Sequence, residues 1–406
     1  MVPNCFTLLE PLTRILYLSE AMDGEQAVGR EADIRAKGRL YLDIIKEFQT
    51  AARNNDVQTL QLFLNSGVHV DAQGGEYGSA LQAAASKGNI QAIRLLLDKG
   101  ADVNAQSGNH GGALQVAAIN GSVEAIQLLL DGGANIDARG GRHGNALQAA
   151  AFNGNVKAMK LLLDNGLDVD VTGGHYGNAL QAAAFNGKVE AMRILLDKGA
   201  NVNAQGGHYG NALQAAASDR KVEAMQLLLE RGGYVNAQGG YYGNALQAAV
   251  CNSILESIQL LLEKGADPNV QGGFYGNALQ AAACCGSGEA IQLLLDKGAD
   301  VNAQGGYYGN ALQAAALNFV NVGPMLILLD NGANVNARGG HFGNALQAAS
   351  YRGSVQAIRL LLAEGAHVNA EGGFYGNALQ AAGRNHHVQA VQLLLHRGAD
   401  IRLIWP

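Results

Sequence analysis

The chain has 406 residues, of which 48% are hydrophobic and only 15% charged, with a formal net charge of −6. That balance supplies material for a continuous apolar core and no basic surface to meet a phosphate backbone, which argues against a nucleic-acid partner. Residues 6–18 are largely apolar, but Glu10, Pro11 and Arg14 interrupt the run and no basic residue precedes it. It is read as neither a signal peptide nor a membrane span, and as either a short helix, an unstructured lead or the edge of a preceding domain. Residues 22–46 are richer in charge and read as a helix running on into the repeats.

Residues 47–79 hold a degenerate copy of a unit that is regular from residue 80 onward. Ala51 and Ala52 stand where Ala84 and Ala85 stand one period later, and the run 60–67 answers a later Leu-Leu-Leu-Asp-Lys-Gly. Lys46, Glu47 and Gln49 replace apolar residues of the later copies, so this unit is expected to cap the stack with a face turned to water. The regular copies are marked by Gly-Asn-Ala-Leu-Gln-Ala-Ala, whose first alanine falls at Ala80, Ala113, Ala146, Ala179, Ala212, Ala245, Ala278, Ala311, Ala345 and Ala378. The period is 33 residues, with one step of 34. A fixed period in this range means stacked supersecondary units, each touching only its neighbours. The domain plan is a lead over 1–46, the capping unit 47–79, the array 80–400 and a tail 401–406.

Within one copy, Asn178 is placed to cap a short alanine-rich helix beginning at Ala179. Asn186 and Gly187 supply a left-handed turn. A second helix over 189–198 sets Val189, Met192, Leu195 and Leu196 at helical spacing, and Gly199 ends it. Residues 200–210 are too glycine-rich for a helix and read as a projecting hairpin finger. The copy at 317–332 departs from the rule: it gains one residue, loses the turn glycine and carries Pro324, which fits only near a helix start. A weak joint is expected there. At the end of the chain Val388, Val391, Leu394 and Leu395 keep the internal pattern. Trp405 and the rest of the tail are expected to fold back over Leu394, with end-to-end association as the alternative.

Cys5 is isolated, Cys284 and Cys285 are adjacent, and Cys251 lies one period before Cys284. Stacked repeats are about 10 Å apart, beyond the roughly 7 Å reach of a disulfide between equivalent positions, so Cys251 and Cys284 are expected to be free thiols in a reducing compartment. The sequon at Asn120 is discounted because no signal peptide is seen to deliver it. Gly-Gly-x-Tyr-Gly-Asn lacks a following Gly-Lys-Ser/Thr and is a turn, not a phosphate loop. His110, His143, His175, His208 and His341 fall one to a repeat, without carboxylates or thiols at ligand spacing, so no metal site is expected. His386 and His387 read as a solvated pair. No nucleophile, base and orienting acid can be assembled, and neither catalysis nor a cofactor is expected.

Gly100, Ala101, Asp102, Val103, Asn104 and Ala105 reproduce the tail of the ankyrin repeat, and the pattern resembles that family over residues 47–402. The family's Thr-Pro-Leu-His opening is here Asn178, Ala179, Leu180 and Gln181. That systematic departure, with the Gly-Gly-aromatic-aromatic-Gly finger, is similar to the regular ankyrin arrays of filamentous fungi, often attached to nucleotide-binding signalling proteins. The resemblance implies an all-α ankyrin-repeat solenoid of about eleven helix-turn-helix repeats. It also implies a concave binding face at the ends of the first helices.

Positions where the copies disagree are those the common scaffold does not dictate. Six residues beyond each marker stand Ser86, Ile119, Phe152, Phe185, Ser218, Cys251, Cys284, Leu317, Tyr351 and Arg384. The large apolar members are costly to leave in water and useful as interface anchors, the alternative being drift at a surface position. The finger tips vary likewise, through Glu76, Asn109, Arg142, His175, His208, Tyr241, Phe274, Tyr307, His341 and Phe374. The residue after each tip, from Tyr77 to Tyr375, is expected to be a structural ladder packing finger on finger. The tips are the better contact candidates, with a footprint biased toward the C-terminal half.

Together these features give a non-enzymatic protein-binding scaffold, intracellular in cytoplasm or nucleus, with protein partners, no nucleic acid and no membrane. The resemblance adds a recognition role in fungal signalling or self/non-self response. The rivals are an adaptor or inhibitor that occludes one enzyme, and a solenoid that pairs only with itself.

Overall fold

A computed structural model describes residues 30–107, 109–318 and 321–401, with side chains from residue 39. The expected fold-back of Trp405 therefore lies outside the described residues; Leu394 itself is buried, while Val388 in the same helix is exposed. Among the described residues there are 22 helices in repeated helix-turn-helix pairs. One two-stranded sheet is seen among them, the antiparallel pair Gln106–Ser107 with Gly111–Gly112. No helix among the described residues is long and apolar enough to cross a membrane. The chain divides into two compact units, one holding residues up to 183 with 190–200, the other 184–189 with 201–406. Each is an ankyrin-type solenoid of stacked helix pairs, and the irregular copy at 317–332 lies inside the second unit.

The first pair is the helix Arg30–Arg53 followed by Val57–Asn65, so from residue 30 the charged lead runs into the first repeat as one helix. In the ten later pairs the first helix is short and rich in alanine. In Ala146–Asn153 six successive residues from Ala146 to Ala151 are buried, because the helix has neighbours on every side. Side chains larger than alanine at most of these positions would hold the layers apart. The second helices are amphipathic, as water on one side requires. In Val189–Asp197 the buried stripe is Ala191, Met192 and Leu195. Val189 and Leu196, expected in that stripe, are only half-buried, because the neighbouring second helix covers a narrower strip than a full apolar face.

The caps follow the local sequence. Asn145 Oδ1 accepts from the backbone N–H of Gln148 at 2.8 Å, and Gln148 Oε1 accepts in return from the Asn145 N–H at 3.1 Å. This reciprocal box satisfies two of the amides a helix start leaves open. The turn after the first helix is left-handed as expected, with Gly187 at φ 64°. Where glycine is missing at that place the backbone does not change: Asn55, Arg220, Ser253 and His386 take φ between 52° and 58°. Pro324 occupies the first turn of the helix Gly323–Asp330, the one position that tolerates it.

The capping glutamine has a second role that the sequence did not suggest. Gln148 Nε2 donates to the carbonyls of Val171 and Gly177 in the next finger, each at 3.0 Å. Gln347 Nε2 reaches Ala370, Gly372 and Gly376. Gln49 plays the same part in the first repeat, donating to Gly74 O at 2.8 Å and Gly78 O at 3.1 Å. It is 2% exposed, which corrects the expectation that it faces water with Lys46 and Glu47. Lys46 is exposed and Glu47 half-buried. A second series runs through the repeat tails: Asn203 Nδ2 donates to Gly232 O while its Oδ1 accepts from the Tyr234 N–H. Asn236, Asn269, Asn302, Asn336 and Asn369 donate to Gly265, Gly298, Gly332, Gly365 and Gly398 in the same way.

Candidate protein-binding face

The fingers are closed by single antiparallel bridges between glycines, such as Gly272 with Gly276 and Gly305 with Gly309. Within the second unit successive fingers pack backbone to backbone. A Cβ built on Gly273, at φ 63°, would lie 2.4 Å from the Tyr242 carbonyl carbon. Only glycine permits that approach. The close spacing lets main-chain bonds pass from tip to tip: in the second unit Tyr241 N–H donates to His208 O at 3.0 Å, Phe274 to Tyr241 at 3.3 Å, Tyr307 to Phe274 at 3.3 Å, His341 to Tyr307 at 2.9 Å and Phe374 to His341 at 2.9 Å.

With the backbones held so, the tip rings stack. Successive centroids from His208 through Tyr241, Phe274, Tyr307 and His341 to Phe374 lie 5.0–6.1 Å apart, with interplanar angles of 8–19°. The sequence suggested that only the following row would stack. Both rows do, and within a finger they meet edge to face, as Tyr307 meets Tyr308 at 83°. What remains open at the tips is mostly ring edge, with Tyr241, Phe274 and Tyr307 each 40–45% exposed and Phe374, the last ring, 67%. At the tips of the first unit the Arg142 guanidinium lies over the Tyr176 ring at 5.8 Å, and His175 is edge-on to Tyr176.

The row at the ends of the first helices is placed beneath the fingers. Phe152 packs on Tyr176 at 5.1 Å and His143 at 4.8 Å. Phe185 packs on Tyr209 at 4.9 Å, and Tyr351 on Tyr375 at 4.8 Å and Phe342 at 5.2 Å. Cys284 Sγ is 3.1 Å from the Tyr308 hydroxyl. These side chains are half-buried, so they pack against the fingers and still present part of their surface. Ile119 lines a cleft of about 190 Å³ with Tyr77, Ser86, His110 and Val116. Leu317 is too small to fill the space a ring fills in other copies. It lines a wider cleft of about 430 Å³ with Cys284, Tyr307, Tyr308, Phe342, Tyr351 and Arg352. Arg384 is exposed, beside Tyr375.

Electrostatically the face is quiet. Burial pushes the phenols of Tyr176, Tyr242, Tyr275 and Tyr308 up from their ordinary value, so these four are uncharged at neutral pH. His143, 9% exposed, is pushed down to about 4 by burial, with the charges of His110 and Arg142 adding to it. Among the described residues no group of three or more His, Cys, Asp or Glu side chains could hold a metal ion. The described thiols, Cys251, Cys284 and Cys285, are free. The thiol that meets Cys251 is Cys285, one residue further than a whole period, and sequence spacing gave no sign of it.

Family models of ankyrin repeats in sets of three copies match residues 48–140, 138–206, 207–272 and 313–404, and a single-repeat model matches 277–306. Among solved structures, the human ASB11 ankyrin repeat domain is similar at 27% identity and a TM-score of 0.47, over 55% of this chain and 99% of its own. No curated protein matches the chain.

Proposed function

Because the chain belongs to the ankyrin repeat family, whose arrays generally mediate protein–protein interaction, we propose that it is a non-enzymatic protein-binding scaffold that holds its partner on the fingers and first-helix ends of the second unit. The observation that carries this reading is the run of six stacked tip rings from His208 to Phe374, beside the open cleft at Leu317. Rings fixed by their neighbours lose little entropy on binding, and exposed aromatic edges around an apolar cleft are the usual material of an interface centre. The partner is a protein that presents apolar or aromatic side chains to that cleft. The free thiols fit an intracellular, reducing setting, and the regular Gly-Gly-aromatic-aromatic-Gly finger supports a recognition role in fungal signalling or self/non-self response.

The test is affinity capture from extracts of the source cells with the wild-type chain and with a variant carrying Leu317→Asp and Tyr307→Ser. The variant is expected to lose at least about tenfold of the captured protein, the size of effect expected when one anchor is removed. Capture of the same proteins at the same level by both chains would move the binding site elsewhere. A single captured enzyme whose activity falls on binding would make the chain an inhibitor.

A further inference from the structure

The position seven residues beyond each marker alanine can reach back to the preceding repeat. Asn153 Nδ2 donates to Ile119 O at 2.8 Å, and Arg352 Nε to Leu317 O at 3.0 Å. In the helix Ala278–Cys285 that position is Cys285, whose Sγ lies 3.4 Å from Cys251 O. The carbonyl it reaches belongs to another cysteine, at the end of the helix Ala245–Cys251, which sets the two thiols close enough to influence each other's acidity. Cys284, although adjacent in sequence, turns instead toward Tyr308. The two partners are also unequal: Cys285 is exposed, whereas Cys251 is half-buried and lies near Tyr275.

We infer that Cys251 and Cys285 are a hydroperoxide-sensitive dithiol, in which exposed Cys285 is oxidised first and Cys251 resolves it to a disulfide joining two consecutive repeats. The Cys285 thiolate attacks one peroxide oxygen and the O–O bond breaks, leaving a sulfenic acid and a hydroxide that takes up the proton Cys285 released. The Cys251 sulfur then attacks the Cys285 sulfur, the S–O bond breaks, and the hydroxyl leaves as water with the Cys251 proton. Two thiols lose two electrons and one hydrogen peroxide becomes two waters. The division of roles agrees with the acidities. The neighbouring Cys251 side chain holds the Cys285 thiol below its ordinary value, and Cys285, with burial, pushes Cys251 up. A thiolate at an exposed position is the form that reacts with peroxide. The disulfide would draw Cys251 away from Tyr275, so oxidation would alter the surface beneath that finger whatever partner the face binds.

The experiment treats the whole chain with hydrogen peroxide, blocks remaining thiols with N-ethylmaleimide and digests with trypsin, which cuts after Lys264 and separates the two cysteines. Two of the four cysteines are expected to escape alkylation and to appear as a cross-linked 251–285 peptide pair, in the wild type and in C284S alike, reversible by dithiothreitol. In C251S the cross-link should vanish while dimedone labels Cys285. In C285S neither product should form. Full alkylation of every cysteine after peroxide, or a cross-link that survives in C285S, would overturn the inference.

Discussion

His143 offers a test of how the finger rows are packed. It occupies the position filled by tyrosine at 176, 209, 242, 275, 308 and 375, its ring packs against both Phe152 and Tyr176, and its Nδ1 has no protein partner. Its pKa falls from 6.5 to about 4 on folding, so between those values the unfolded chain binds a proton that the folded chain refuses. Stability from this group is therefore complete above about pH 6.5, declines as pH falls and levels off below about 4. At roughly 1.4 kcal/mol per unit the ceiling is about 3 kcal/mol, and partial access of the ring edge to water reduces it to about 2 kcal/mol. The perturbation is His143→Tyr, which restores the row and removes the titration. Urea unfolding of both chains at pH 7 and pH 4 cancels the other titrating groups, and the stability difference between variant and wild type should widen by about 2 kcal/mol at the lower pH. In proton NMR the His143 ring should show no titration at pH 6.5. Parallel stability curves, or a ring that titrates normally, would refute the packing argument.

Gly273→Ala should cost roughly 3 kcal/mol or more, because the new methyl collides with the preceding finger's backbone. Gly298→Ala, at φ 86° with nothing within 4 Å of the added carbon, should cost only about 1 kcal/mol of left-handed strain; equal losses in thermal unfolding would deny the close approach of the fingers. Ser253→Gly relieves a left-handed serine at φ 52° and should raise stability by about 0.5–1 kcal/mol, a gain that a lower midpoint in urea would contradict. Gln347→Leu removes the two N–H donors shared among the carbonyls of Ala370, Gly372 and Gly376, of which Gly376 O keeps the Gly372 N–H, and should cost about 2 kcal/mol, whereas a neutral substitution would mean that the glutamine series is ornamental to the stack. Amides of the helix Gly323–Asp330, beside the open cleft at Leu317, should exchange with deuterium before those of Val355–Ala363, and equal protection would remove the weak joint.

The features legible in the sequence were those that depend on neighbours along the chain. Asn145 before an alanine run, Gly187 after it and Pro324 at a helix start each announce a local backbone state, and the period turns those states into a fold. Contacts between repeats were harder to read, since they depend on where one helix lies over the next. Gln49 looks like a solvent-facing residue until the carbonyls of Gly74 and Gly78 are placed above it. Phe152 looks like a loose anchor until Tyr176 lies against it. Cys285 pairs with Cys251 because a side chain seven past the marker points back over the preceding helix, a direction that counting by whole periods cannot give. The stacking of the tip row was hidden for a related reason: its members vary from His208 to Phe374, yet any flat ring satisfies the stack.

The main-chain bonds that tie finger to finger within the second unit ask nothing of side-chain identity, and the glutamine and asparagine series repeat the same handshake from copy to copy. A genetic deletion or duplication of one whole period in the second unit would thus rejoin surfaces that already fit. Number of repeats becomes a heritable dial for the length of the face, and two alleles could differ by a rung of aromatic edge while sharing every rule of assembly.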